Sequence, residues 1–110
     1  MGGEIAAGAE VEKHARRLLV IVTEGVLERP VVADARRLGA QGYTVYEVRG
    51  GGVHGDHGGE WDVDRSIEIQ LICTAEVAER IAEHVLAQYA RHYRVAVWLS
   101  DVQVFRADKF

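Results

Sequence analysis

The most informative segment of this chain reads Gly39-Ala-Gln-Gly-Tyr-Thr-Val-Tyr-Glu-Val-Arg-Gly-Gly-Gly52. Its middle part is rich in β-branched and aromatic residues, which is typical of a strand. The strand ends at an arginine, and glycines follow at once. Glycine lets backbone N–H groups come close to an anion, and Arg49 adds a fixed positive charge at the same place. The segment therefore predicts a strand from Tyr43 to Val48 that leads into an anion-binding junction.

The elements around this strand follow a regular order. Leu18–Val22 is a short apolar run typical of a buried strand, and Pro30 and Gly39 mark the first turn and the left-handed cap of a short helix. The remaining predicted elements are a strand at 65–73, a helix beginning after Thr74, a strand at 94–99 and, after a turn at Ser100-Asp101, a short strand at 102–105. The order βαββαβ with an extra strand predicts a ferredoxin-like α+β sandwich, in which two helices cover one face of an antiparallel sheet.

The other face of this sheet has no cover within the chain. Trp98, Tyr46 and the outer sides of the apolar strands would form an exposed apolar patch that is too large for a monomer. We therefore expect the sheets of neighbouring copies to associate.

The domain is expected to span 18–110, after a flexible tail at 1–17. Within it, the connection at about 50–64 joins two strands that should pair as a hairpin, yet it is far longer than hairpin loops usually are. Its many glycines favour a segment that becomes ordered on a ligand or partner, and the alternative is a tolerated insertion.

Composition excludes several classes of protein. The 110 residues suit a single domain, and the formal charge of -4, with Lys and Arg spread along the chain, shows no nucleic-acid footprint. Apolar runs fall well short of the roughly 18 residues that cross a bilayer. Cys73 has no partner for a disulfide within the chain, which favours a reducing compartment, and we expect a cytoplasmic protein.

The quoted segment resembles the part of PII signal-transduction proteins that leads into their T-loop, where the pattern is G-x-x-G-x-T-V-x-E-V-K-G-x-G. The resemblance covers about 18–105 and also includes Leu19-Val-Ile-Val-Thr-Glu24 and the short connection Ala90-Arg-His-Tyr-Arg94. Within the family the chain is most similar to the PII-like branch linked to inorganic-carbon uptake.

The resemblance implies a homotrimeric regulatory protein, not an enzyme, with an adenine nucleotide in each cleft between subunits and bicarbonate nearby. ADP and AMP are the expected nucleotides, with lower affinity for ATP. The mobile T-loop would respond to the ligand and contact a bicarbonate transporter or a carboxysome-associated protein. No metal ligands and no catalytic residues are implied.

The resemblance also implies roles for individual residues. Val22, Thr44 and Gln70 would surround the base, and Arg49 with the amides of Gly50 and Gly52 would approach the phosphates. Bicarbonate is assigned to Arg49 and the amides of Gly50, Gly51 and Gly52. The phosphate-binding loop of classical members is reduced here to a connection without glycine, in which Arg91 or Arg94 would substitute. Only Arg106 and Lys109 remain of the basic C-terminal strand.

Two other classes of function stay open. His54, Asp56 and His57 have a spacing that could ligate a divalent metal, as in a small trimeric metal-tolerance protein of ferredoxin-like fold. Glu60, Asp62 and Asp64 allow a small enzyme, although no nucleophile and base pair accompanies them. His84 is expected to be solvated on the surface of the second helix.

Overall fold

The computed structural model describes residues 11–52, 55–56 and 65–110. The elements in chain order are β1 His14–Glu24, α1 Glu28–Arg37, β2 Thr44–Val48, β3 Gly51–Gly52, β4 Gly55–Asp56, β5 Ser66–Cys73, α2 Ala75–Tyr89 and β6 Val95–Val104, with 3-10 turns at Gly25–Leu27 and Ala107–Lys109. Four strands form an antiparallel sheet in the order β2-β5-β1-β6, and β3 pairs with β4 separately. The predicted ferredoxin-like fold is confirmed.

The core lies between the two helices and one face of the sheet. Alternate residues of β5, such as Ile67 and Ile69, are at most 1% exposed, because the period-two pattern turns them toward α1 and α2. Ile81 and Val85 of α2 are fully buried against them. The opposite face of the sheet receives no helix from the described part of the chain, as the sequence predicted.

The end of α1 is a Schellman motif that depends on Gly39. The Gly39 N–H donates to the carbonyl of Arg36, and the Ala40 N–H donates to the carbonyl of Ala35 at 3.0 Å. Gly39 has a φ of +121°, a conformation that L side chains rarely adopt, and an added Cβ would lie 3.2 Å from Val77. The predicted left-handed cap is confirmed.

We expect Gly39→Ala to destabilise the protein by about 1–3 kcal/mol, because alanine is strained at this φ and crowds α2. Urea unfolding followed by circular dichroism measures the change in the free energy of unfolding. Gly42→Ala is the matched control, since an added Cβ there meets nothing within 4 Å and the φ is not positive. Equal stabilities of the two variants would contradict the prediction.

β6 is one continuous strand, so the predicted turn at Ser100-Asp101 and the separate strand after it are wrong. Ser100 pairs with Leu18, and Asp101 pairs with Arg17, whose Nε donates to the Asp101 carboxylate at 2.9 Å. The pairing with β1 therefore outweighs the turn propensity of this dipeptide.

The same pairing lengthens β1 toward the N-terminus. β1 begins at His14, opposite Val104, whereas the sequence placed the start of the strand at Leu18. The last four residues of the predicted tail are therefore strand, because the long β6 provides backbone partners for them.

A polar cluster joins the two helices on their outer side. Asp34 of α1 accepts hydrogen bonds from the Tyr89 hydroxyl at 2.6 Å and from His84 Nε2 at 2.9 Å, both on α2. His84 is half-buried in this cluster, so the expectation of a solvated side chain was wrong. Burial works to raise the pKa of Asp34, but the hydrogen bonds from Tyr89, His84 and Arg37 outweigh it and lower the pKa below its usual value.

The same cluster predicts a pH dependence of stability. Burial, followed by the hydrogen bond to Asp34, raises the pKa of Tyr89 from 10.0 to about 12. Because the folded pKa lies above the unfolded one, the stabilisation by Tyr89 is complete below pH 10 and is lost as the pH rises through about 12. Urea unfolding at about pH 9 and about pH 11.5 should show a smaller stability difference between wild type and Tyr89→Phe at the higher pH. A difference that does not change with pH would contradict this cause.

Candidate functional site

All three predicted base-binding residues lie on the uncovered face of the sheet. Thr44 on β2 pairs directly with Gln70 on β5, and Val22 on β1 pairs with Glu68 in the next row. The Gln70 side-chain amide donates to the Glu68 carboxylate at 2.7 Å. The face thus presents one branched apolar side chain beside hydroxyl, amide and carboxylate groups, which suits a flat, polar-edged ligand such as a base.

Two aromatic side chains on the same face are exposed. Trp98 on β6 pairs with Val20 and is 50% exposed, and Tyr46 on β2 pairs with Glu68 and is 48% exposed. Large apolar groups at such exposure are typical of interaction surfaces. Both aromatic side chains of the predicted patch are therefore exposed on this face, one on each edge strand, and the polar side chains of Glu68 and Gln70 lie on β5 between these strands.

The predicted anion junction lies at one end of the sheet, here called the loop end, where Val48, Ser66 and Glu24 pair side by side. Arg49 follows β2 directly and is exposed. Within the part of the chain that the structure describes, its guanidinium has no carboxylate within 4 Å. Arg65, across the strand pair, is instead bound to Glu47 at 2.7 Å. Among the described residues, Arg49 is therefore the arginine beside the glycines that no carboxylate holds.

The glycine at position 50 is not required by anything in the described part of the chain. Its φ is not positive, and an added Cβ would meet nothing within 4 Å. Neither strain nor crowding explains the glycine, which leaves the backbone open to close approach by a ligand. Gly51 and Gly52 differ, because their backbones pair with β4 in the two-stranded ladder. Of the three glycines that follow Arg49, Gly50 is therefore the one whose backbone is not paired in this ladder.

The connection between α2 and β6 also reaches the loop end and is held at both ends. At its start, the Tyr89 carbonyl accepts two N–H groups of the connection. At its end, the buried Thr23 hydroxyl donates to the Arg94 carbonyl at 2.7 Å, and the Glu24 carboxylate accepts the Arg94 N–H at 2.9 Å. Arg91 lies exposed between these anchors. The connection is a short preformed turn that carries two arginines.

Arg106 and Lys109 are far from the other predicted residues. They follow β6 beyond Val104, which pairs with His14 at the end of β1 opposite to Thr23. His14 and Thr23 are nine residues apart on β1, which corresponds to about 30 Å of strand. A single copy of the chain therefore does not bring Arg106 or Lys109 to Arg49.

Two carboxylates lie among the predicted residues without having been predicted themselves. Glu68 shares the face of Gln70, and the period-two pattern of β5 was sufficient to find it. Glu24 contacts Arg94 from 70 residues away, and no local pattern signals that contact.

His54, His57 and the acidic residues Glu60, Asp62 and Asp64 lie outside the described residues. Across 11–52, 55–56 and 65–110, no group of three or more His, Cys, Asp or Glu side chains is placed to hold a metal ion. No helix in those ranges is long and apolar enough to cross a membrane.

Comparison with known proteins gives a consistent result. The family model for nitrogen regulatory protein P-II matches residues 16–109. A structure from Thermus thermophilus, described as that of a PII-like signaling protein, is 34% identical with a TM-score of 0.76, and the match covers 90% of this chain and 98% of that one.

CPII, a nitrogen regulatory PII-like protein from Thiomonas intermedia K12, was solved bound to ADP, AMP and bicarbonate. It is 26% identical with a TM-score of 0.80, and the match covers 92% of this chain and 98% of that one. A DUF3240 family protein from Shewanella baltica OS155, 13% identical, shares the fold with a TM-score of 0.61 over 76% of this chain and 86% of that one.

Proposed function

This chain belongs to the P-II family of nitrogen regulatory proteins, and we propose that it is a nucleotide-responsive signalling protein that binds ADP or AMP together with bicarbonate. Its work is regulation through binding, and catalysis is not part of the proposal. ATP is expected to bind more weakly than ADP.

The observation that carries this proposal is the junction of Arg49 with Gly50. An exposed guanidinium without an ion-pair partner in the described chain lies beside an open backbone, where β2 leaves the face that carries Thr44 and Gln70. A base on this face and a phosphate at Arg49 would satisfy both ends of a nucleotide. The related CPII, solved with ADP, AMP and bicarbonate, supports this choice of ligands.

We propose that the site is shared between subunits of a trimer. The predicted basic residues are divided between the two ends of the sheet, with Arg49, Arg91 and Arg94 at the loop end and Arg106 and Lys109 at the opposite end. A second copy of the chain would bring its own Arg106 and Lys109 to the loop end of the first. The exposed Trp98 and Tyr46 give the surface on which the copies associate.

Bicarbonate is assigned to Arg49 with the amides of Gly50, Gly51 and Gly52. A planar anion with two oxygens matches the fork of a guanidinium, and backbone N–H groups donate to its remaining lone pairs. Gly50 is the best placed of the three, because the backbones of the other two are paired with β4.

The segment at about 50–64 is proposed to carry the signal to a partner, either a bicarbonate transporter or a carboxysome-associated protein, and so to regulate inorganic-carbon uptake. Such a role places the protein in the cytoplasm. A single free cysteine, Cys73, suits such a reducing compartment.

Isothermal titration calorimetry with ADP and AMP, each with and without bicarbonate, tests the proposal. We expect saturable binding of both nucleotides and a different affinity when bicarbonate is present. GDP at the same concentration is the control for recognition of the base. Absence of saturable heat with ADP and AMP up to millimolar concentration would overturn the proposed function.

A further inference from the structure

The Glu24 carboxylate contacts both the main chain and the side chain of Arg94. One oxygen of its carboxylate, Oε2, accepts the Arg94 main-chain N–H at 2.9 Å and lies 3.9 Å from Nε of the same residue. An anion held between an amide and a guanidinium is the arrangement in which proteins bind phosphate. The protein thus holds Arg94 with an internal carboxylate.

The two contacts differ in strength. The amide contact is a hydrogen bond of ordinary length, and the Arg94 carbonyl is fixed separately by the buried Thr23 hydroxyl at 2.7 Å. The guanidinium contact is too long for a hydrogen bond, and the Arg94 side chain is 49% exposed. The Arg94 backbone is therefore firmly placed by Thr23 and Glu24, and the contact between the two side chains is the weaker of the two contacts that Glu24 makes.

The guanidinium also contacts β5. Arg94 Nη1 donates to the Ser66 hydroxyl at 3.5 Å, and Ser66 pairs with both Glu24 and Val48. Arg94 therefore lies across the end of three strands, next to the strand pair from which Arg49 emerges. A charge at Glu24 acts on any phosphate that approaches this end of the sheet.

We propose that Glu24 is a specificity-determining residue, which competes with the ligand phosphates for Arg94 and repels ligands in proportion to their negative charge. This inference rests on the proposed nucleotide site. AMP, ADP and ATP carry successively more charge, so Glu24 disfavours ATP most and AMP least. Glu24 thereby contributes to the weaker binding expected for ATP.

The test compares Glu24→Gln with wild type by calorimetry, using AMP, ADP and ATP. Glutamine keeps an oxygen that accepts the Arg94 N–H and removes only the charge. We expect all three nucleotides to bind more tightly, with the gain growing by about two- to threefold for each added ligand charge and shrinking in high salt. Glu83→Gln, the same charge change on α2, away from the loop end, should alter none of the affinities.

Two further variants separate competition from a structural role. Glu24→Ala removes the charge and the hydrogen-bond acceptor together. Because the charge is lost as in Glu24→Gln, the gain in affinity should again grow with the negative charge of the nucleotide. In an Arg94→Gln background, Glu24→Gln should produce a smaller gain in affinity than in wild type, because the competition for Arg94 is absent and only the direct repulsion of the ligand is left to remove.

An equal change for all three nucleotides, or no change, would overturn the inference and leave the proposed function intact. If wild type binds none of the three, the proposed function and the inference fall together.

Discussion

A glutamate in place of Trp98 is expected to leave a folded monomer that no longer binds ADP. Trp98 is half-exposed on the uncovered face of the sheet, opposite Val20, and its side chain makes no part of the core between sheet and helices. Association of the sheets would bury a carboxylate at this position without a partner, which costs several kcal/mol for each subunit. Since the proposed site is assembled from two copies, the loss of association removes the site.

Sedimentation velocity measures the oligomeric state, and circular dichroism shows whether the variant stays folded. Leu86→Glu is the matched control, because Leu86 is 46% exposed on α2, away from the uncovered face of the sheet. It should leave both the trimer and ADP binding unchanged. A Trp98→Glu protein that remains trimeric would show that the copies do not associate through this face.

Arg49→Ala is expected to reduce the affinity for ADP by about ten- to a hundredfold and to remove the effect of bicarbonate on binding. The Arg49 guanidinium has no carboxylate partner in the described chain, so its loss leaves no buried charge unpaired and stability should not change. A charge-assisted hydrogen bond to a phosphate accounts for the magnitude.

Arg29→Ala is the matched control for Arg49→Ala, because Arg29 is an exposed arginine of α1 at which the same net charge is removed. It should leave both ligands bound as in wild type. If Arg49→Ala weakens ADP binding but leaves the bicarbonate effect intact, bicarbonate binds at another group and its assignment to Arg49 is wrong.

Much of the fold was predictable because its signals are local. The alternation in β5 and the Gly39 cap depend on neighbouring residues and the backbone geometry they require, and both predictions are confirmed. The turn at Ser100-Asp101 was predicted on the same kind of evidence and was wrong. There the backbone partners are Leu18 and Arg17 of β1, remote along the chain, and pairing of that length outweighs a dipeptide preference.

The candidate site shows the same division. The junction of Arg49 and Gly50 is a local motif, and the structure places it exposed at the end of β2. Glu24 and Arg94 are remote along the chain, so no local sequence pattern predicts their contact. The contact forms because β1 and β6 lie side by side in the sheet.

The amino-acid sequence alone determined the βαββαβ order of the main elements, the apolar face of each and the residue types of the segment after β2, because hydrophobic period, caps and motifs depend on neighbouring residues. The tertiary structure alone decided which charges meet. In the folded chain Tyr89 donates a hydrogen bond to Asp34, and the Arg94 N–H donates one to Glu24. Arg49 has no carboxylate partner in the described chain. The physical reason is that electrostatic interactions depend on distance through space, and strand register sets that distance.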